Sequence, residues 1–408
     1  MPDTYAYKVR DSEGRLLQGS LEADNKTLVA NKLRQMGYVP ITIDRQGGGA
    51  GDLQREIKIP GLGGKVKQKD VAVFCRQFAT MINSGLSLIR SLHILAEQTE
   101  SKKLAEILVT VRTDVEKGAS LSQAMARHPK AFNRLFVAMV RAGETGGVLD
   151  SVLQQLATTI EKQVELKRKI KAAMTYPVAV LGLVLMIVTA MLLFVVPTFE
   201  ALYSDLGGQL PLPTRLLIGV SSILKSFFLP LLVLDVLFVF AFKKWLTSEG
   251  GRARWDAVKL RIPIFGKLVH KTAITRFART LSVLLRSGVP ILESLEITSE
   301  TVNNSVVAKA VKDTQAAVQQ GESIAGPLGS HKVFPPMVVQ MLAVGEETGA
   351  VDQMLDKVAD FYDQEIEATV AAMTSLLEPL LIVFMGGAVG GMVVALYMPM
   401  FNIINLVE

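Results

Sequence analysis

Two runs of this chain contain no charged residue, Pro177–Val196 and Pro379–Met400. At the rise of an α-helix, about 20 residues cross the hydrocarbon core of a bilayer. A chain in lipid must satisfy its own backbone N–H and C=O groups, so each run predicts a spanning helix. Between them, Ser226–Phe242 is apolar except for Asp235, and it extends backwards across Lys225 through Leu216–Leu224. Three spans are expected, over 173–197, 216–242 and 373–400.

Lysine and arginine set the orientation. Lys162, Lys167, Arg168, Lys169 and Lys171 precede the first span, and none occurs from Ala172 to Thr214. Lys243, Lys244, Arg252 and Arg254 follow the middle span. The positive-inside rule then puts residues 1–172 and 243–372 in the cytoplasm, with the 198–215 loop and the 401–408 tail outside. Met1–Arg10 carries charge and no apolar stretch of signal-peptide length, so the first span is expected to act as the insertion signal. The third span has acidic residues before it and takes its direction from the other two.

The net charge is +6, but the basic residues cluster beside the apolar runs. That pattern fits anionic lipid headgroups, and the sparse aromatics near it offer no stacking platform for nucleic acid. Cys75 is the one cysteine, so an intrachain disulfide is impossible. His93, His128, His270 and His331 have no metal-ligand spacing. Gly61–Val66 lacks the first glycine and the Ser/Thr of a phosphate loop. No metal, cofactor or catalytic residue is expected.

Self-comparison exposes a duplication. Phe74-Cys-Arg76 returns as Phe277-Ala-Arg279, Ser84-Gly85 as Ser287-Gly288, Gly118 as Gly321 and His128 as His331, all 203 residues apart. After a one-residue slip, Gly143-Glu144, Gly147, Asp150, Pro177, Pro197 and Phe199 return as Gly345-Glu346, Gly349, Asp352, Pro379, Pro399 and Phe401. Each copy is a cytoplasmic helical unit followed by a span leaving the cytoplasm, and the middle span brings the chain back between them. The repeat is parallel.

Helical periodicity marks the units. Val71, Phe74, Phe78, Met81 and Ile82 share a face, with shorter amphipathic stretches over Leu88–Ala96, Leu104–Val115 and Leu121–Met125. A Gly-Glu-Thr-Gly-Gly turn is expected before a long helix that starts near Val148 and runs to the membrane, where Pro177 starts or kinks the span. Residues 1–45 read differently. Tyr5, Tyr7 and Val9 alternate with polar residues, Leu17–Leu21 pairs back, Asn25–Met36 is a helix closed by Gly37, and Val39–Ile43 is a strand. That is a small ββαβ module, followed by a flexible basic linker over 46–69.

Three features invite a functional reading. The corners Gly143, Glu144, Gly147, Asp150 and Gly345, Glu346, Gly349, Asp352 suit either a tight helix turn capped by the glutamate or a surface for a protein partner. Asp235 lies mid-span, where a carboxylate costs about 2.5–3.5 kcal/mol, so a partner helix, an interfacial register or a proton path is expected. Gly386, Gly387, Gly390 and Gly391 form overlapping small-xxx-small patterns suited to a close helix contact.

The paired Phe-x-Arg…Ser-Gly…Ser-Leu units, the Gly-Glu…Gly…Asp corners and the proline-flanked spans resemble the type II secretion F / type IV pilus assembly C family. The N-terminal Tyr-x-Tyr-Lys…Gly-x-Leu-Glu-Ala…Leu-Arg-x-x-Gly stretch is similar to that family's leader module. The resemblance covers essentially the whole chain. It implies an all-α membrane protein: two duplicated cytoplasmic six-helix bundles, over 70–172 and 243–372, on three transmembrane helices. It also implies a non-enzymatic inner-membrane platform that engages a hexameric ATPase, pilin or pseudopilin subunits and other inner-membrane assembly proteins, and that homo-oligomerises. Arg76, Glu144, Gly147, Arg279, Glu346 and Gly349 fall on the family's recurrent positions. Glu347 stands where the first corner has Thr145, which makes the second corner more acidic. A transporter or a signalling scaffold is the competing reading; a transporter would want more polar pairs in its spans.

Overall fold

The computed structural model describes residues 3–10, 16–23, 25–46, 66–205, 211–263 and 265–404. Most of the expected linker, and the final residues of the tail, lie outside the described residues. The chain divides into two compact units, Met1–Gly64 and Lys65–Glu408.

In the first unit, β1 (Asp3–Arg10) lies between β2 (Leu16–Ala23) and β3 (Val39–Gln46), both antiparallel to it. Helix α1 (Lys26–Gln35) lies between β2 and β3 in sequence. The Asn25 side chain accepts from the Leu28 N–H at 2.8 Å, which caps one of the free amides of its first turn. Tyr5 and Val9 from β1 meet Val29 and Leu33 from α1 in a small core. Pro40 falls on edge strand β3, beside a register shift at Lys8/Val9, where a missing N–H costs little.

The second unit is helical, and the repeat is visible element by element. The first bundle comprises α2 (Gln68–Asn83), α3 (Leu88–Gln98), α4 (Lys102–Glu116), α5 (Leu121–Ala126), α6 (Arg134–Gly146) and α7 (Leu149–Ala190). A π-helical turn, Met191–Val195, carries α7 into α8 (Val196–Asp205). Next come α9 (Leu212–Ser226), α10 (Phe228–Thr247) and α11 (Glu249–Arg261). The second bundle then follows as α12 (Phe265–Arg286), α13 (Ile291–Thr301), α14 (Ser305–Gln319), α15 (Ala325–Gly329), α16 (Pro336–Thr348) and α17 (Val351–Ile404).

Phenylalanines anchor both bundles. In the first, Phe74 stacks on Phe78 at 5.4 Å between ring centroids, and Phe132 meets Phe136 at 4.8 Å. In the second, Phe277 meets Phe334 edge-on at 4.9 Å. The cores are not equivalent. Val283, Leu284, Val289 and Ile297 of the second bundle are buried in the core of the first, where α12 and α13 approach α6. The second core takes no side chain from the first among the described residues. Around this shared core, Arg134 of α6 pairs with Glu296 and Glu300 of α13, and Arg141 lies 3.6 Å from Glu293.

Among the described residues, two helices are long and apolar enough to cross a membrane, Leu149–Phe199 and Val351–Met398. Pro177 does not end α7, which continues through it unbroken, and the proline is buried. Alongside, Val196 is buried with Met392 and Leu396 of α17, and Leu217 and Ile218 of α9 pack on them. The Thr214 hydroxyl donates to the Ala395 carbonyl at 2.6 Å, and the Ser221 hydroxyl donates to Leu192 in the π-turn. A widened turn leaves a carbonyl without its usual helical partner, and the serine supplies one. The expected middle span is broken at Phe227 between α9 and α10.

Candidate functional site

Arg76 lies on α2, facing α7. Its Nε–H donates to Glu161 at 2.8 Å, a second N–H reaches the other carboxylate oxygen, and Nη2 reaches the Thr158 hydroxyl at 3.2 Å. Such a forked pair fixes direction as well as distance. The guanidinium holds the Glu161 carboxyl below the usual range, and the same bond raises Arg76.

Arg279 takes the equivalent place on α12. It donates to Asp356 at 2.6 Å, Asp360 at 2.7 Å and Asp363 at 2.8 Å, all on α17. Asp363 is the repeat partner of Glu161. The setting is tighter here: the Arg279 side chain is 7% exposed, against 39% for Arg76. Burial opposes the charge on Arg279, but the bonds to Asp360 and Asp363 outweigh it and raise its pKa. Burial would also raise Asp360, yet its bonds from Arg279 and Lys162 hold it low, whereas burial prevails at Asp363 and pushes it up. An arginine at the same repeat position thus pins each bundle to its long helix, and in the second bundle Arg286 adds contacts to Asp352 and Asp356 at 3.4 Å.

The long helices are also pinned to each other. Lys162 of α7 reaches Asp360 of α17 at 3.0 Å, and Lys169 reaches Glu367 at 2.6 Å. Leu166, Ile170 and Met174 pack with Leu268, Ile366 and Met373 along the same seam. Both ion pairs ascend in number together, so α7 and α17 run parallel. By the repeat, Lys162 would stand level with Gln364; it meets Asp360, one turn earlier. The stagger is about one helical pitch, roughly 5 Å.

The corners are more helical than the sequence suggests. Gly143, Glu144, Thr145 and Gly146 form the last turn of α6, and the chain reverses only at Gly147, with φ +68°. Gly349 repeats this at φ +68°. A side chain at Gly143 would lie 3.1 Å from the Leu149 Cα, and one at Gly345 2.9 Å from the Val351 Cα. The glycines therefore let α6 and α16 cross α7 and α17 closely. Glu144 turns inward and accepts the N–H groups of Leu121 and of Ser122 (3.0 Å) at the start of α5. Glu346 does the same for Ile324 and Ala325 (3.0 Å). Asp150 and Asp352 fall in the first turns of α7 and α17, where the helix dipole favours a carboxylate, and Asp352 also lies 3.4 Å from Arg286.

The remaining expected residues scatter. Asp235 is exposed on α10, without a hydrogen bond or ion pair among the described residues. Gly386 and Gly390 face outward on α17, with nothing within 4 Å of an added Cβ, so no helix among the described residues packs there. Pro197 sits in α8 just past the π-turn, and Pro399 lies near the end of α17. Cys75 is buried, and burial pushes its thiol well up, so it behaves as a core residue. No cluster of His, Cys, Asp and Glu suited to a metal occurs among the described residues. Glu161, Asp356, Asp360 and Asp363 were not singled out by motif; the sign available was a carboxylate returning one turn apart on the face opposite each arginine.

The family model for type II secretion system protein F matches this chain twice, over residues 74–197 and 277–399, and that family's N-terminal domain matches residues 1–44. The chain is 47% identical to a type IV pilus assembly protein of Thermus thermophilus over 402 residues, covering 98% of each chain. It is 40% identical to one of Myxococcus xanthus, covering 99% of this chain and 96% of the relative. It is 35% identical to the type II secretion system protein F of Pseudomonas aeruginosa, covering 99% of both. Two apolar helices and this kinship support an inner-membrane protein of a pilus or secretion machine. The duplicated helical bundles, both family-model matches and the near full-length relatives agree: this chain belongs to the type II secretion system protein F family.

Proposed function

We propose that this chain is the non-enzymatic platform on which a type IV pilus or a secretion pseudopilus is built. It couples a cytoplasmic hexameric ATPase to the extraction of pilin or pseudopilin subunits from the inner membrane. In this reading the chain crosses the membrane three times, with α9 and α10 as the returning segment, the N-terminus inside and the C-terminus outside. It works beside other inner-membrane assembly proteins and as a homo-oligomer.

One observation carries the proposal: α7 and α17 each run unbroken from a bundle into an apolar segment, clamped side by side at Lys162–Asp360 and Lys169–Glu367. Work done on the bundles then reaches the bilayer without a flexible joint. The partner-facing parts of the corners are Thr145 and Glu347, which are exposed, whereas Glu144 and Glu346 hold the corners in shape.

The test is to interrupt one rod. Three glycines inserted after Ala172 should abolish fibre assembly while the protein still inserts and both bundles resist protease. The same insertion in the 206–210 segment should be tolerated. Normal assembly with the α7 insertion would reject the coupling.

A further inference from the structure

A cleft of about 350 Å³ opens between α7 and α12. Lys162, Lys167 and Lys171 from α7 and Arg276 and Arg279 from α12 line it, against the single acid Asp363 from α17. Two of these cations have carboxylate partners: Arg279 holds three aspartates, and Lys162 holds Asp360. Lys167, Lys171 and Arg276 have none within ion-pair distance among the described residues. Asp363 does not balance them, since Arg279 already engages it.

Arg276 is the odd member. It is half-buried, and burial lowers its pKa with no opposing charge to restore it. A desolvated cation without a counterion is costly, and the cost falls when an anion enters. Its repeat position in the first bundle is Val73, so the arginine is no part of the duplicated scaffold. Lys167 and Lys171 stand one helical turn apart across the cleft from it. Two ammonium groups facing a guanidinium fork suit a phosphate, which accepts several charge-assisted hydrogen bonds at once.

The place narrows the choice of ligand. One wall is apolar, made by Leu166, Ile170 and Met174. Two residues beyond Met174 the exposed apolar surface of the long helix begins, at Tyr176 and Val178. The cleft therefore sits where headgroups lie if α7 enters the bilayer there, and basic pockets at that level take anionic headgroups. We propose that this cleft binds a phosphate-bearing anion through Lys167, Lys171 and Arg276, supplied either by the headgroup of an anionic phospholipid or by a soluble phosphate compound.

The experiment uses the full-length protein, stripped of lipid in a neutral detergent. Dioleoyl-phosphatidylglycerol is the lipid probe, dioleoyl-phosphatidylcholine the zwitterionic control, and inorganic phosphate the soluble probe; dissociation constants are read by native mass spectrometry and by titration. Wild type should bind phosphatidylglycerol or inorganic phosphate and not phosphatidylcholine. Binding of phosphatidylglycerol alone makes the source a lipid, and comparable binding of inorganic phosphate makes it a soluble anion. Arg276→Gln and Lys171→Gln should each weaken binding roughly tenfold, the loss of one charge-assisted contact. Arg168→Gln removes the same charge from the same helix but lines a separate cleft with Lys69 and Arg76, so it should have little effect.

Failure of both anions to bind overturns the proposal. So does equal weakening by Arg168→Gln, which would mean that net charge alone draws the ligand. Should Arg276→Gln lose its circular dichroism, Lys171→Gln decides, because that side chain is exposed. Fibre assembly is not the readout, so a negative result here leaves the coupling role standing.

Discussion

Arg279 on α12 and Asp363 on α17 are joined at 2.8 Å, and one duplication earlier Arg76 and Glu161 make the same bond between α2 and α7. The attachment has been kept while its surroundings diverged: one carboxylate in the first bundle, three in the second. Energetics should diverge with it.

Replacing the two arginines by methionine measures that difference. Arg279→Met removes a buried cation and leaves Asp363 without its ion-pair partner, while Asp360 keeps Lys162 and Asp356 keeps Arg286, and should cost about 1.5–3 kcal/mol, the worth of hydrogen bonds to a charged group. Arg76→Met removes a largely solvated pair and should cost below about 1 kcal/mol. Thermal unfolding of the purified protein in detergent ranks them; equal losses would refute the contrast.

The first clasp should also respond to acid. Glu161 has a pKa below its ordinary value in the fold, so its contribution is fully present above the ordinary carboxylate range. It is lost as pH falls from there through the lowered folded value. Unfolding midpoints of wild type and Glu161→Gln should therefore differ at pH 7 and converge as the pH drops below about 4, near the unfolded carboxylate value. A gap that persists at low pH would argue against the ion pair as its cause.

Glu144 and Glu346 each satisfy two backbone N–H groups at the start of a short helix. Glu144→Lys would point a cation at those donors and should lower stability by about 2–3 kcal/mol. Glu347→Lys, by contrast, changes only exposed surface and should leave the unfolding midpoint within about 0.5 kcal/mol of wild type. Loss of fibres in Glu347→Lys alone would assign the second corner to a partner.

Glycines in the corners and in the last apolar run should behave differently. Gly345→Ala sets a methyl 2.9 Å from the Val351 Cα and forces α16 away from α17, at about 1–3 kcal/mol. Gly386→Ala meets nothing within 4 Å and should be neutral or slightly stabilising in the isolated protein. Comparable destabilisation by both would contradict the packing described.

Much of this architecture was legible beforehand because duplication and apolar length are coarse signals. Phe74 and Phe277 mark equivalent helices, and Pro177 and Pro379 mark equivalent entries into apolar sequence. Pro177 lies within α7, which continues through it, so the proline marks the apolar entry without ending the helix. The corner glycines read as a tight turn capped by the glutamate; Gly147 and Gly349 do reverse the chain, while Gly143 and Gly345 lie within the helices and serve their close crossing. Least readable was the pairing of α7 with α17. Lys162 and Asp360 belong to different repeats, and no spacing in the sequence announces a one-turn stagger.

The burial of Val283, Leu284, Val289 and Ile297 in the first bundle has a consequence for biosynthesis. Residues up to Ala157 leave the ribosome long before those four side chains exist. At about 5–20 residues per second, the earlier bundle waits roughly 6 to 28 s with part of its apolar surface uncovered. The first long apolar helix, Leu149–Phe199, is completed within that interval, so the lid for the earlier bundle arrives only after a segment able to enter a bilayer has been made.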